Sequence, residues 1–435
     1  MTRTSLASRP DRFDHEAFRL GEPLMARLAH LATFTSTPGT STPGTSTPGS
    51  LTRLFLTPAH RAAAEQVAAW MRDAGLRTEI DAIGNVVGRT HPDGDGRPVL
   101  LMGSHIDTVR QAGRYDGAFG VLAAVAALAE LRDQGRTLPF AVEVIAFGDE
   151  EGVRFPVTMT GSRVVAGCFD PAALDAADAD GVTLRDALTA FGGDPAGIPG
   201  LSRVGRPVLG YVEAHIEQGP VLEAQDLPLG IVTAIAGATR LRATVTGTAG
   251  HAGTVPMSMR HDALVAASGM VMAVEHVAAN QRGLVATVGQ MLVRPGAPNS
   301  IPGEVEFTVD IRAAEDAVRL GGIAAVQHAI RQVASERGVS VQCHPIHDAP
   351  AVACAPHLQA ALQAAIEGLG VPPLHLASGA GHDAMMMARL CPVGMIFTRC
   401  WRGISHNPAE SILATDAGLT VLALCAFLRA YAAAG

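Results

Sequence analysis

The chain has 435 residues, long enough for two or three domains and a sizeable core. Apolar residues make up 48% and charged residues 17%, a balance that excludes a mainly disordered chain. Lys and Arg total 33 against 41 Asp and Glu, a formal charge of −8, and only 4% of residues are aromatic, so the chain lacks the cations and stacking faces of a nucleic-acid binder.

The opening stretch, MTRTSLASRPDRFDHEAF, is charged and has no apolar core, so no secretory leader is expected. Residues 35–49 repeat Thr-Ser-Thr-Pro-Gly three times. Pro and Gly at every fifth position rule out helix or strand interiors and predict a flexible surface loop. Cys168, Cys343, Cys354, Cys391, Cys400 and Cys425 are scattered, with no C-x-x-C pair, which predicts reduced thiols and a cytoplasmic location. The apolar run Ala417–Leu428 stops at Arg429, too short for a bilayer, so no membrane span is expected.

From about Leu54 to Ile216, apolar strands alternate with helical stretches, the sign of an α/β unit. Val99–Met102, Phe140–Phe147 and Val208–His215 read as strands and Gly117–Arg132 as an Ala-rich helix. Between about Gly230 and His344 the order changes. Arg240–Thr246, Gly283–Val293, Glu304–Arg312 and Val339–Cys343 read as strands, and Ser258–Val277 and Glu315–Glu336 as helices. This is the β-α-β-β-α-β, ferredoxin-like order. A helix at Leu358–Leu369 and a strand at Val393–Phe397 return to the first style. The spacing therefore predicts an α/β domain of residues 1–228 and 348–435, interrupted by a smaller domain of residues 229–347. Crossings are expected near 225–232 and 344–352.

The chemistry-bearing residues collect at predicted strand ends, where sites form in α/β sheets. His105 follows the first strand, with Asp107 two residues on as a candidate partner for its second ring nitrogen. Asp116 precedes the Ala-rich helix and would alone read as an N-cap. Asp149, Glu150 and Glu151 end another strand, and three adjacent acids repel unless a cation lies close. His215 and Glu217 close a further strand, and His406 lies near the C-terminus. Each alone reads as an ordinary polar residue. Together they form an N and O donor set without thiolates, suited to zinc, manganese, cobalt or nickel. A carboxylate bridging two ions is the layout of two-metal hydrolases.

The chain resembles the M20-type dinuclear metal amidohydrolases, and within them the branch of N-carbamoyl-L-amino-acid hydrolase, allantoate amidohydrolase and β-ureidopropionase. GSHIDTV, YDG, DEEG, EAHIEQGP, GHAGT, PNSIPG, DIR and SGAGHDA occur in the family's order, and the likeness runs from Asp81-x-x-Gly84-Asn85 to Ser405-His406-Asn407-Pro408-x-Glu410. The resemblance implies a catalytic α/β domain with a mixed central sheet and a ferredoxin-like lid that also forms a homodimer. It implies two divalent ions per subunit, zinc foremost. His105 and His406 would bind different ions, Asp116 would bridge them, and Glu151 and His215 would complete the sets. Glu150 would be the general base and Asp107 the partner of His105. Gln218, Asn299, Arg312 and Gly381 would bind substrate, Arg312 through its carboxylate. His251 would act across the dimer interface on the oxyanion. Closure of the two domains on a small ureido acid is then expected.

The implied reaction is hydrolysis of a non-peptide C–N bond, foremost in an N-carbamoyl-L-amino acid, giving amino acid, carbon dioxide and ammonia. The alternatives are allantoate, ureidopropionate, or an acyl-amino acid or peptide. A metal-free scaffold on the same fold is a rival of another class, but Glu150 and every ligand position are intact. A nucleotide-dependent oxidoreductase would need a G-x-G-x-x-G loop, and Gly113–Gly120 lacks that spacing. The unfamiliar segment Thr398–Gly403 is expected to line the pocket.

Overall fold

The computed structural model describes residues 11–36, 51–92 and 96–433, so the Thr-Ser-Thr-Pro-Gly repeat lies almost wholly outside the described residues. The chain divides into two units. The larger comprises Met1–Thr233, Cys354–Leu376 and His382–Gly435, and the smaller Ala234–Ala353 with Ala377–Gly381.

The larger unit is built on a mixed sheet. Its central strands lie in the order Arg77–Ile80, Val86–Arg89, Ala141–Phe147, Val99–His105, Val208–Ile216 and Val393–Thr398. Val99–His105 runs parallel to both of its neighbours, and Val393–Thr398 parallel to Val208–Ile216, whereas Val86–Arg89 is antiparallel to Ala141–Phe147. The parallel strands are buried almost throughout, as expected of strands covered on both faces. Leu100, Met102, Val142 and Val144 join one core with the Ala118–Asp133 helix. That helix is apolar nearly all round, because it too has neighbours on every side.

The C-terminal helix, Ala414–Ala433, packs against the Asp11–Leu31 helix and the Ala118–Asp133 helix. It is longer than the apolar run in the sequence, since Arg429 lies inside it. Two helices, Ala263–Asn280 and Ala414–Ala432, are long and apolar enough by length and composition to cross a membrane. The second is 67% buried within its own unit, and its apolarity is that of a core helix.

In the smaller unit, four antiparallel strands lie in the order Ser340–Ala349, Gly237–Thr246, Glu304–Ala313 and Leu284–Arg294. Val305, Phe307, Val309 and Ile311 point to one buried face. There they meet Met270 and Val274 of one helix and Val326 and Ile330 of the other, Asp316–Arg337. The first of these helices starts at Ala263, not Ser258, because the Asp262 carboxylate accepts the Leu264 and Val265 amides and caps it there. The last strand runs to Ala349, beyond Cys343, paired with Gly237–Thr246 on both sides of a register shift between Pro345 and His347. Its outer half is largely exposed and carries no apolar alternation to announce it.

His60 is a buried titration point in the larger unit. Its ring stacks on Phe191 and meets Phe55 edge-on, its Nδ1 accepts the Leu56 amide, and its Nε2 has no partner. Burial, aided by the Arg53 charge, lowers its pKa from 6.5 to about 3. The unfolded chain then binds a proton that the folded chain refuses, so stability is full above pH 6.5 and falls as the pH drops toward 3. His60→Asn keeps an acceptor near Nδ1 and removes the titration. Urea unfolding between pH 6 and 4 should show a slope shallower than wild type by up to about 1.4 kcal/mol per pH unit.

Candidate metal centre

The parallel register sets His105 beside Phe147 and His215 beside Phe397, so the ends of adjacent strands deliver their following residues to one edge of the sheet. His105 and His215 come directly from strands. Asp116 comes from the turn before the Ala118–Asp133 helix, Glu150 and Glu151 from the turn after Phe147, and His406 from the loop before the C-terminal helix.

Their donor atoms converge. His105, Asp116 and His215 form one group with ligand atoms within 4.8 Å of one another; Asp116, Glu151 and His406 form a second, and His105, Glu150 and Glu151 a third. Asp116 joins the first two. Its Oδ1 lies 3.2 Å from His215 Nε2 and 3.8 Å from His105 Nε2, and its Oδ2 lies 3.1 Å from His406 Nε2. His105, Asp116 and His215 are buried, whereas the His406 side chain is 51% exposed and marks the open side.

Local backbone makes this packing possible. Gly117 has φ 65°, and a Cβ there would lie 2.5 Å from the His105 ring, so only glycine lets the loop pass over the imidazole. Asp149, Gln218 and His406 hold left-handed φ values of 68°, 56° and 53°. Such conformations cost about 1–2 kcal/mol each for residues bearing a Cβ and collect at functional sites.

The electrostatics call for positive charge. Burial, then repulsion from Glu151, Asp383, Asp107 and Asp116, pushes the Glu150 carboxyl well above its usual range. Burial, then Asp116 and Asp107, does the same to Glu151. Burial opposes a charged His215, yet the adjoining Asp116 and Glu213 carboxylates hold its imidazolium to about 9. Meanwhile His215 Nε2 and Glu151 Oε1 are buried without a hydrogen-bond partner. Hard carboxylate oxygens and imidazole nitrogens, buried, orphaned and mutually repelling, fit a divalent cation.

The Asp107 carboxylate takes a different place from the one expected. It lies 3.8 Å from His105 Nδ1, and the Asp107 backbone carbonyl accepts that nitrogen's hydrogen at 3.0 Å. The carboxylate instead receives the Glu150 and Glu151 amides at 3.2 and 3.3 Å, so it steadies the acidic turn. The backbone fills its first role because it is nearer. Glu217, two residues beyond His215, accepts the Val221 and Leu222 amides and starts a short helix.

Gln218 belongs to the same unit as these residues, and its amide nitrogen donates to Asp116 Oδ2 and Ser405 Oγ. His251, Asn299, Arg312 and Gly381 belong to the smaller unit. There the Gly250–His251 strand pairs with Ser300–Ile301, which brings His251 alongside Asn299. His251 Nδ1 accepts the Gly253 amide, which leaves the ring proton on Nε2 as a donor. The Arg312 guanidinium is held by both Asp310 carboxylate oxygens and by the Gly379 carbonyl, two residues from Gly381.

Sequence reasoning missed the layer beneath the ligands. His382 is buried and meets the His215 ring edge-on at 4.5 Å. Glu213 is fully buried and accepts from Ser104, Tyr211 and the Ala384 amide. Although Glu213, His215 and His382 stand close enough to hold an ion, the Glu213 oxygens are already engaged. Glu213 shares the strand parity of His215, the one signal that could have found it.

The profile of peptidase family M20/M25/M40 matches residues 101–430, three quarters of the chain. The chain belongs to this family. Among its M20 relatives, an allantoate deiminase of Arabidopsis thaliana is 42% identical over 406 residues, covering 86% of this chain and 77% of that one. An N-carbamoyl-L-amino acid amidohydrolase of Geobacillus stearothermophilus is 42% identical over 354 residues, covering 81% and 87%. The crystal structure of an amidase of the hydantoinase/carbamoylase family from Burkholderia multivorans is 36% identical, with a TM-score of 0.85 over 94% of this chain and 97% of that one. The family that the sequence motifs imply is thus the family to which the chain belongs.

Gly117→Ala tests the geometry without replacing a candidate ligand. The added methyl meets the His105 ring at a backbone conformation that alanine avoids. The purified variant should keep its circular dichroism but retain less zinc after dialysis than wild type, read by elemental analysis.

Proposed function

We propose that this M20 member is a metal-dependent amidohydrolase that cleaves the ureido C–N bond of an N-carbamoyl-L-amino acid, giving the amino acid, carbon dioxide and ammonia. The observation that carries the reading is the set of overlapping ligand groups joined at Asp116, with Glu150 beside them. The relatives named for allantoate and for N-carbamoyl-L-amino acids match at the same 42% identity, so allantoate is the second substrate to consider. The amidohydrolase is matched over 87% of its own length against 77% for the deiminase, while the deiminase covers 86% of this chain against 81%. Ureidopropionate and acyl-amino acids rank below both.

Two ions, one with His105 and His215 and one with Glu151 and His406, would share Asp116; zinc is the first choice, ahead of manganese, cobalt and nickel. When bound, such ions acidify a water and polarise a carbonyl. The chain's own residues then carry the proton. Glu150, its carboxyl raised by burial and acidic neighbours, takes a proton from the attacking water and returns it to the departing nitrogen. Asp107 holds the Glu150 and Glu151 amides, so the base is presented from a fixed turn. Arg312, aligned by Asp310, offers its remaining N–H groups to the substrate carboxylate. Gln218, Asn299 and Gly381 complete the substrate contacts.

The smaller unit, Ala234–Ala353 with Ala377–Gly381 where the sequence led to 229–347, is read as a ferredoxin-like lid that also forms the homodimer and sends His251 to the oxyanion of the partner's site. The donor Nε2 of His251 supports that role. Exposed Val265 and Met272 on one helix, and Val285, Met291 and Leu292 on an edge strand, support a partner on this unit. The catalytic part is the larger unit, Met1–Thr233 with Cys354–Leu376 and His382–Gly435, close to the 1–228 and 348–435 that the sequence led to. Six free thiols support a cytoplasmic setting.

Ammonia release should be measured with zinc-loaded protein on N-carbamoyl-L-amino acids, allantoate, ureidopropionate and dipeptides. Chelator-sensitive turnover is expected to be fastest on a carbamoyl amino acid; turnover confined to dipeptides would reject the proposal. Glu150→Gln should keep its metal and lose about 10²- to 10⁴-fold in kcat. Arg312→Ala should raise KM for carboxylated substrates at least about tenfold, the loss of a charge-assisted contact. An unchanged KM would remove it from the substrate site.

A further inference from the structure

Glu410 is buried, at 5% exposure, and nothing in the reaction above uses it. Its Oε1 accepts the Tyr115 amide at 2.8 Å and the Asp116 amide at 3.1 Å. Its Oε2 accepts the Ser405 hydroxyl at 2.7 Å. Asp116 and Glu410 are 294 residues apart in the chain, and each of the two loops supplies a candidate ligand: Asp116 itself, and His406 beside Ser405. Gln218 Nε2 then ties Ser405 Oγ, at 3.2 Å, to Asp116 Oδ2, at 3.1 Å. The loop is packed tightly around the carboxylate, since a Cβ on Gly113 would lie 2.3 Å from Glu410. With both oxygens engaged, Glu410 is not a ligand in waiting.

We infer that Glu410 is the positioning residue that clamps the Asp116 loop to the His406 loop and so sets the spacing of the metal site. This rests on the reading of the cluster as a metal centre. Two backbone amides fix the chain at Asp116 while the hydroxyl contact fixes the residue before His406, whose left-handed φ needs restraint from outside. The clamp works through hydrogen-bond geometry, not through negative charge. A carboxamide in its place can accept both amides through its oxygen and donate to Ser405 Oγ through its nitrogen.

The test uses the full-length protein stripped of metal, and measures zinc affinity by competition with a chromophoric chelator, alongside thermal unfolding of the metal-free form. Glu410→Ala should lose about 10- to 100-fold in zinc affinity, the usual loss when a partner that orients a ligand is removed. Glu410→Gln should recover the wild-type affinity, and Ser405→Ala should weaken binding while leaving metal-free unfolding near wild type. Folded Glu410→Ala with unchanged affinity would overturn the inference. So would Glu410→Gln as weak as alanine, which would assign the effect to charge. If Glu410→Ala does not fold, the other two variants decide, and wild-type affinity in Ser405→Ala overturns the clamp. Wild-type protein that binds no zinc would instead fail the metal-centre reading itself, which separates the two.

Discussion

The structure depends on how it handles buried negative charge. Asp107, Asp116, Asp149, Glu213 and Asp383 are all buried within the larger unit, with Glu150 and Glu151 half-buried among them. Carboxylates this close cannot all ionise in a low-dielectric interior without compensation. Some are settled by donors: Glu213 by a serine, a tyrosine and an amide, and Asp107 by two amides. Asp116 leans on the His215 and His406 imidazoles, and Glu151 Oε1 has no hydrogen-bond partner. A cation resolves that remainder, and this is why the fold can carry such an acid load at one sheet edge.

Placing the load there requires the strands first. Four parallel strands fix the starting points of the four segments that follow them, and loops on a rigid sheet inherit its precision. The loops then take conformations that no regular element provides. Gly117 passes against a ring, and Asp149, Gln218 and His406 occupy left-handed backbone. The cost is bearable because the core beneath is large and continuous, from the Asp11–Leu31 helix to the C-terminal helix.

Much of this was legible in the sequence. Apolar runs gave away the parallel strands and strict alternation gave away Glu304–Ala313, whereas the candidate ligands, far apart in the chain, stood out as a set only through the resemblance of their motifs to a family. What stayed hidden depends on contacts between distant segments. Glu410 closes the Ser405-His406-Asn407-Pro408-x-Glu410 motif, but what its side chain holds is hidden until Tyr115 and Asp116 are brought to it. The Asp107 carboxylate looked like a partner for the nearest imidazole, but the backbone carbonyl lies closer, and no residue pattern encodes that. The sequence marks Arg312 as a carboxylate anchor, but only the folded strand shows Asp310, two residues back on the same face, clamping its guanidinium.

The acidic run shows how consecutive residues come to differ. Asp149 has left-handed φ and turns inward, fully buried and hydrogen-bonded to Thr160, so it is part of the scaffold. Glu151 joins Asp116 and His406 and is the carboxylate placed to share an ion. Glu150 stands with His105 and Glu151 but outside the group joined to His406. A general base must not be tied up as a ligand, and it must hold a proton long enough to pass it on. Burial and its acidic neighbours raise Glu150, and the backbone hold of Asp107 keeps it in place. Glu150 combines a raised proton affinity with a position beside the cluster and outside the group joined to His406, the combination that supports the proposed role of general base.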